Sequence, residues 1–476
     1  MLTIDLHCHP NLKSFNSGFP QPTKNIWEKI YHKKGEGFTQ TANEISEHVL
    51  KESQANLETL AQGNVRVFQL SLYPTERGFL RMRNVPKLFV GKKRANILQE
   101  VITGYSAESI AESQKQYNYF GELQAEYKYV ESQQGKSPDG KNTFVLVNNF
   151  AELQKALQQK NTLIGIVTIE GGHALGTGSP ETDKLSTDDL KALLTQNIRA
   201  IKQWENPPFV INLAHHFWNH LSGHSKSFKR PINAIINQNK GINKGITEAG
   251  WHTIRLLLSR ENGKRILIDT KHMSIAARKE YYAFIQNYNS INPNDTIPII
   301  ASHVGMNGFS TMTASAKFTD IMPKARRPRL FRWSINLSHE EVRIIHQSGG
   351  LIGLMMDRGM LGGLNAIENI VAIEDEKKKR EAYVQLFWDN VFEIIKATGD
   401  KNGFDAISIG SDFDGTITHM EPYESAAKFP LFQQDLIEFL EKKKYKQELW
   451  YDYSPTELVE KIMYKNALNF YERFFV

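Results

Sequence analysis

Close to the start of the chain, His7-Cys8-His9 ends the run Thr3-Ile4-Asp5-Leu6. Two histidines two apart on a strand face the same way, because strand side chains alternate at period two. Such a pair can hold a divalent cation from one side, and imidazole suits zinc and its neighbours. Four later apolar runs each end on another residue of ligand type: Ile-Gly-Ile-Val-Thr-Ile-Glu170, Ile-Leu-Ile-Asp-Thr-Lys-His272, Pro-Ile-Ile-Ala-Ser-His303 and Ala-Ile-Ser-Ile-Gly-Ser-Asp412. One His-x-His carries little weight alone. Five strand ends reading His-x-His, Glu, His, His and Asp point to a binuclear metal centre at the mouth of a barrel.

The elements that must position these residues follow from the same runs. Strand-like segments fall at 3–9, 65–73, 163–170, 209–215, 265–272, 297–303, 350–356 and 406–412. Most are continuously apolar, as parallel strands buried on both faces require. Helical periodicity lies between several of them. Ser186 precedes a helix over 187–203 that presents Leu190, Leu193, Leu194 and Ile198 on one side. Another covers 247–260, and Ser338 with Glu341 three residues on forms a capping box for a third. The segment 454–475 predicts a closing amphipathic helix, and an extra strand over 143–147 precedes a helix over 152–158. Eight strands with intervening helices predict a (β/α)8 barrel, whose sites lie at the C-terminal strand ends. The ligand-type residues fall there. Two stretches exceed a minimal barrel: an insertion at 74–142 after the second strand, helical over about 107–131, and a loop at 304–336 after the sixth. The chain reads as one barrel over 1–476 with these insertions.

Composition is that of an ordinary globular protein, with 40% hydrophobic and 23% charged residues. The net charge of +6 is small for 476 residues and both signs are interspersed, which argues against a nucleic-acid partner. No run approaches a membrane span. Cys8 is the only cysteine, so no intrachain disulfide and no Cys-rich zinc site exist. A strand pattern already begins at residue 3, with no signal-peptide features before it. These observations favour a cytoplasmic location, with export of a longer precursor left open.

Further motifs extend the pattern: Ile-Glu-Gly-Gly-His-Ala at 169–174, Asn-Leu-Ala-His-His-Phe-Trp-Asn at 212–219 and Gly-Ile-Thr-Glu-Ala-Gly at 245–250. Leu-Ile-Asp-Thr-Lys-His-Met-Ser at 267–274, Ser-His at 302–303, Asn-Leu-Ser-His-Glu-Glu at 336–341 and Gly-Ser-Asp-Phe-Asp-Gly at 410–415 follow, with Asn-Ala-Leu-Asn-Phe-Tyr at 466–471 in the last helix. In order and spacing the chain resembles the membrane dipeptidase family, the zinc-dependent M19 peptidases of the amidohydrolase-like barrels. The resemblance implies two zinc ions bridged by Glu170, with His272 and His303 completing one site and His7, His9 and Asp412 building the other. It implies that His215 sits beside the substrate and polarises the scissile carbonyl or holds its oxyanion. It also implies a homodimer and a dipeptide or other small-molecule substrate.

Two positions depart from the family pattern. His9 stands where the family has Asp, which leaves the site one negative charge poorer. Ile335 stands where the family has the arginine that recognises the substrate carboxylate. The loop at 304–336 carries Lys324, Arg326, Arg327, Arg329 and Arg332. It begins directly after His303, so the expectation is a cap over the metal mouth, with carboxylate recognition relocated to Arg332 or Arg329. A solvated basic loop is the competing expectation.

The chemistry these residues suit is hydrolysis. Zinc lowers the pKa of bound water from about 15.7 to about 7, and two metals can activate water and polarise a carbonyl together. Glu170 offers two oxygens for a bridge, and Asp412 can take a proton from the attacking water and pass it to the leaving amine. Asp5 shares the parity of His7 and His9 and is expected to support them from below; Asp414 suits a turn. His173 reads as structural, His216, His220 and His224 as solvated loop histidines, and Cys8 as a small core residue. A hydrolase of lactones, cyclic amides or N-acyl amino acids would use the same barrel chemistry, as would a metal-dependent phosphoesterase. A metal-binding barrel without turnover is the non-enzymatic alternative.

Overall fold

A computed structural model describes residues 1–16, 24–30, 52–79, 118–228, 236–318, 329–442 and 452–476. Ten strands form one sheet: β1 (Thr3–Cys8), β2 (Val65–Leu72), β3 (Gly135–Lys136), β4 (Thr143–Leu146) and β5 (Thr162–Ile169), then β6 (Val210–Asn212), β7 (Leu267–Asp269), β8 (Ile300–Val304), β9 (Leu351–Leu354) and β10 (Ile407–Ile409). Their order is β2-β1-β10-β9-β8-β7-β6-β5-β4-β3, and β2 also pairs with β5. That last pairing closes β1, β2 and β5 to β10 into a barrel of parallel strands. The eight segments read from the sequence are these eight strands, and the (β/α)8 class holds.

The barrel strands are buried along their length apart from half-buried Arg66 in β2, as their apolar runs require. Helices cover the outside: Thr187–Lys202 starts at Ser186, whose side chain accepts from Asp189 N–H, and His339–Gln347 starts at the Ser338–Glu341 capping box. The long helix Glu376–Thr398 buries Val384, Phe387, Trp388, Val391 and Ile394 at helical spacing. At the C-terminus, Pro455–Glu460, a π-helical turn at Lys461–Lys465 and Asn466–Phe474 run consecutively and bury Leu458, Ile462, Ala467 and Phe470. Among the described residues no helix is long and apolar enough to cross a membrane.

The excursion after β2 contributes the helix Tyr119–Ser132, while the earlier part of the expected helix, up to residue 117, lies outside the described residues. The extra strand is β4, which pairs with the first half of β5; the second half of that edge pairs with β6. In the loop after β8, residues 319–328 lie outside the described residues, and with them Lys324, Arg326 and Arg327.

Two pairings slip near the site. The β1–β2 register shifts between Asp5 and Cys8, and the β8–β9 register shifts between Ala301 and Val304. Local irregularities of this kind re-aim side chains at barrel rims. His7 and His303 lie within these intervals.

Candidate metal centre

Three strand ends and two turns bring the six ligand-type residues together around one carboxylate. Glu170 follows β5, and its Oε1 lies 3.3 Å from His7 Nε2, 3.4 Å from His303 Nε2 and 3.5 Å from His272 Nε2. Its other oxygen, Oε2, lies 3.1 Å from His9 Nε2. Asp412 Oδ1 is 3.8 Å from His7 Nε2 and 3.7 Å from His9 Nε2. All six side chains are buried.

Strand parity alone does not place them. His272 and Asp412 lie just past β7 and β10, in left-handed conformations with φ of 67° and 60°. Such angles are uncommon for non-glycine residues and concentrate where function holds a side chain in place. A Cβ on Gly415 would stand 1.8 Å from Asp412 Oδ1, so the Phe-Asp-Gly turn needs glycine to leave room for that carboxylate. Asp414 does have a turn role: its carboxylate accepts from the backbone of Gln54 and Ala55 and pairs with Lys13 at 2.6 Å.

The imidazoles are oriented from behind. His9 Nδ1 meets the Ser71 carbonyl at 3.1 Å, which fixes the proton on Nδ1 and leaves Nε2 as a lone pair. His303 Nδ1 meets Ser302 Oγ at 2.8 Å, with His7 Nδ1 3.5 Å from the same hydroxyl. Asp5 acts differently from the expectation. It accepts from Ser411 N–H and Oγ–H and from His7 N–H, so it joins β1 to the turn after β10 rather than supporting an imidazole.

The donor set fits a cation. His7 Nε2 and His9 Nε2 are buried with no hydrogen-bond partner, although buried polar atoms are normally satisfied. His272 Nε2 and His303 Nε2 face each other at 3.1 Å. Burial lowers the pKa values of His7, His272 and His303, so their rings are neutral, as metal ligation demands. Donors about 2.0–2.2 Å from a tetrahedral ion lie roughly 3.3–3.6 Å apart, the range seen around Glu170 Oε1. Three groupings have their ligand atoms within 4.8 Å of one another: His7, Glu170 and His303; His7, His9 and Asp412; and His215, His216 and His272.

Burial raises the pKa of the Glu170 carboxylate, but His215, His7 and His272 outweigh it and hold the group well below the usual carboxylate range. Asp412 goes the other way, pushed well up by burial and then by the Glu170 charge. Of two carboxylates sharing one site, the one held higher is the better proton acceptor.

A cavity of ≈ 200 Å³ opens onto this cluster, with Glu170, His215, Lys271, His272 and Asp412 in its wall. His215 Nδ1 lies 2.6 Å from Glu76 Oε2, and its Nε2 lies 3.5 Å from Glu170 Oε1. Glu76 sits within the excursion after β2 and had no motif to mark it. Burial lowers the His215 pKa to about 4.

Three further sequence expectations need correction. His216 is no solvated loop residue: it lines the cavity, bonds Ser227 Oγ through Nδ1 at 2.7 Å, and groups with His215 and His272. His224 is fully buried between the backbone of Ser225 and Lys240, while His220 pairs with Asp183. The third concerns the arginines. Arg332 lies over the Phe309 ring at 3.8 Å and Arg329 pairs with Asp389; both line a separate cavity and neither lines the one at the metal cluster. Ile335 is buried against Phe331 and Trp333 in an apolar cluster and does not line the cavity. Cys8 is a buried core residue, and His173 Nε2 bonds the Pro74 carbonyl, a structural contact.

No family model and no curated protein matches the chain. Among solved structures, it is similar to a dipeptidase described as a metallopeptidase of family M19, at 16% identity and a TM-score of 0.53, covering 100% of this chain and 99% of that one. It is similar to a metallopeptidase from Rhodobacter sphaeroides, liganded with a phosphinate mimic of the dipeptide L-Ala-D-Ala, at 16% identity and a TM-score of 0.52 with the same coverage. At this identity the likeness establishes a shared fold.

Proposed function

We propose that the protein is a divergent M19-like hydrolase that uses two zinc ions to cleave a small amide, with dipeptides or dipeptide-like compounds as the substrate class. The observation that carries this reading is the convergence of five imidazoles on the Glu170 carboxylate, with Asp412 beside two of them and two buried Nε2 atoms lacking any other partner. A fold shared with metallopeptidases, one of them holding a dipeptide mimic, supports it.

Glu170 would bridge the two ions, His272 and His303 would complete one site, and His7, His9 and Asp412 the other. Bound zinc would supply a lowered water pKa and an electrophile for the carbonyl oxygen. Asp412, the carboxylate held higher, accepts the proton of the attacking water at its free oxygen and delivers it to the leaving nitrogen. His215 works with Glu76. Because Glu76 accepts from Nδ1, the neutral ring turns the Nε2 lone pair to the cavity; the tautomer is assigned from that partner. A proton drawn from solvent in the cavity to Nε2 would let the ring donate to a developing oxyanion, with Glu76 offsetting the imidazolium charge against the burial that lowers the His215 pKa to about 4. Tight burial of the cluster excludes bulk water and strengthens each of these interactions.

The test is a hydrolysis screen of zinc-loaded protein against dipeptides of both configurations, N-acyl amino acids, lactones and phosphodiesters. Turnover of dipeptides, abolished by chelation and restored by zinc, is the expected result. Turnover confined to lactones or phosphodiesters would replace the substrate class, and a metal-loaded protein inert to all of them would leave a binding barrel.

A further inference from the structure

Lys271 stands immediately before the ligand-type His272, in the turn that follows β7. It is 1% exposed, and Nζ has no hydrogen-bond partner. Among the described residues it is the only lysine or arginine in the wall of the cavity beside Glu170 and Asp412. A buried ammonium without a partner is costly unless something polar completes it.

The neighbouring carboxylates are already committed. Asp269 accepts from Asn212 Nδ2 and from the backbone of Lys271 and Ser302. Asp357, also in the cavity wall, accepts from the backbone of Met360 and Thr418. Asp412 and Glu170 face the imidazole cluster, and among the described residues no carboxylate stands within ion-pair distance of Nζ. None of the four carboxyl groups takes up a donor of Nζ, so its three donors stay available to a ligand in the cavity. Arg329 and Arg332, the other candidates for anion recognition, are held elsewhere by Asp389 and Phe309.

We propose that Lys271 is the substrate-anchoring cation of this site, donating from Nζ to a free carboxylate next to the scissile amide. The assignment rests on the hydrolase reading above and names the part of the substrate that the site selects: an acid in preference to its amide. An ammonium binds as a compact point charge, so it tolerates several carboxylate orientations where an arginine fork would demand one. Lys271 thereby takes on the recognition that Ile335, buried in its apolar cluster, cannot provide.

The experiment measures equilibrium binding of a non-hydrolysable phosphinate mimic of alanyl-alanine, as free acid and as C-terminal carboxamide, to the zinc-loaded protein. Wild type is expected to favour the acid by at least about tenfold, the size of a single charge-assisted contact. Lys271→Met should bring the acid-to-amide ratio close to one, and Lys271→Arg should restore most of the preference. If Met at this position prevents folding, Lys271→Gln gives the same comparison. A ratio unchanged in the Met or Gln variant, or a wild type without acid preference, overturns the assignment. A fall in melting temperature and zinc content with the ratio intact would also overturn it, leaving Lys271 as a counter-charge for the surrounding carboxylates. Because binding is read without turnover, dipeptide hydrolysis with an unaltered ratio sinks Lys271 alone. Absence of both hydrolysis and mimic binding sinks the hydrolase reading, and the anchor with it.

Discussion

Glu76→Gln separates the proposed Glu76–His215 pair from a passive packing role. Glu76 Oε2 accepts from His215 Nδ1 at 2.6 Å and from His216 N–H at 3.3 Å, while Oε1 accepts from Phe217 N–H at 3.0 Å. Glutamine has the same shape and only one acceptor oxygen. If that oxygen takes the Oε2 place, the bond to His215 survives, but the new amide group meets Phe217 N–H donor to donor. A buried donor left unsatisfied costs about 1–3 kcal/mol, so the melting midpoint should fall by a few degrees. The catalytic effect comes from charge. A hydrogen bond to an ionised partner is worth about 1.5–3 kcal/mol against about 0.5–1.5 for a neutral one, a difference of about 1–2 kcal/mol in support for the imidazolium. That corresponds to a kcat about 5- to 30-fold lower, with KM nearly unchanged and zinc content intact. Steady-state kinetics on a dipeptide, together with a thermal melt and elemental analysis, read all three quantities. Wild-type kcat in a variant whose melting point has dropped would refute the proton-bearing role of His215 and leave Glu76 a structural residue.

Asp412→Asn should lower kcat by roughly 10²–10⁴-fold with little change in KM, since Asn keeps an oxygen for a metal but cannot take the proton; equal pH–rate profiles for variant and wild type would remove it from the mechanism. Arg329→Ala and Arg332→Ala should each leave the acid-to-amide KM ratio unaltered, because neither side chain lines the cavity; a ratio shifted severalfold would return recognition to the loop. Glu126 gives a pH prediction away from the centre. Burial raises its pKa from 4.5 to about 8, against hydrogen bonds from Tyr73 N–H and Asn11. The folded state therefore keeps this proton after the unfolded state has lost it, so the group's contribution is full below about pH 4.5 and is lost as pH rises through about 8. Glu126→Gln, which copies the protonated shape and can donate to the orphaned Asn11 Oδ1, should flatten the decline in melting temperature between pH 5 and 8; an unchanged slope would contradict it.

The barrel was legible because its strands are buried on both faces and so write themselves as apolar runs, as in Leu163–Ile169. The ligand-type residues were legible for the same reason, since each interrupts such a run at its C-terminal end. Two of them, His272 and Asp412, lie beyond the regular strand in left-handed turns, a detail that apolar patterning does not encode. Glu76 and Lys271 escaped notice for different reasons. Glu76 reaches His215 across 139 positions of sequence from an irregular segment. Lys271 sits inside a motif read only for its histidine, and its burial without a partner is a tertiary fact. His216 was misjudged because loop histidines are commonly solvated, whereas Ser227 and the cavity wall enclose this one. The basic loop misled in the opposite sense: arginine composition suggested anion recognition, but Phe309 and Asp389 already engage the two described arginines.

A two-ion centre organised by Glu170 fixes the metal stoichiometry of the protein. Protein reconstituted with zinc, dialysed and measured by elemental analysis should retain close to two ions per chain through His7, His9, Glu170, His272, His303 and Asp412. Glu170→Ala should lose both, because Oε1 faces His7, His272 and His303 while Oε2 faces His9, whereas His272→Ala should lose mainly one. Folded wild-type protein that retains no zinc, or a Glu170→Ala variant that still holds two ions, would rule out a pair of ions bridged by Glu170.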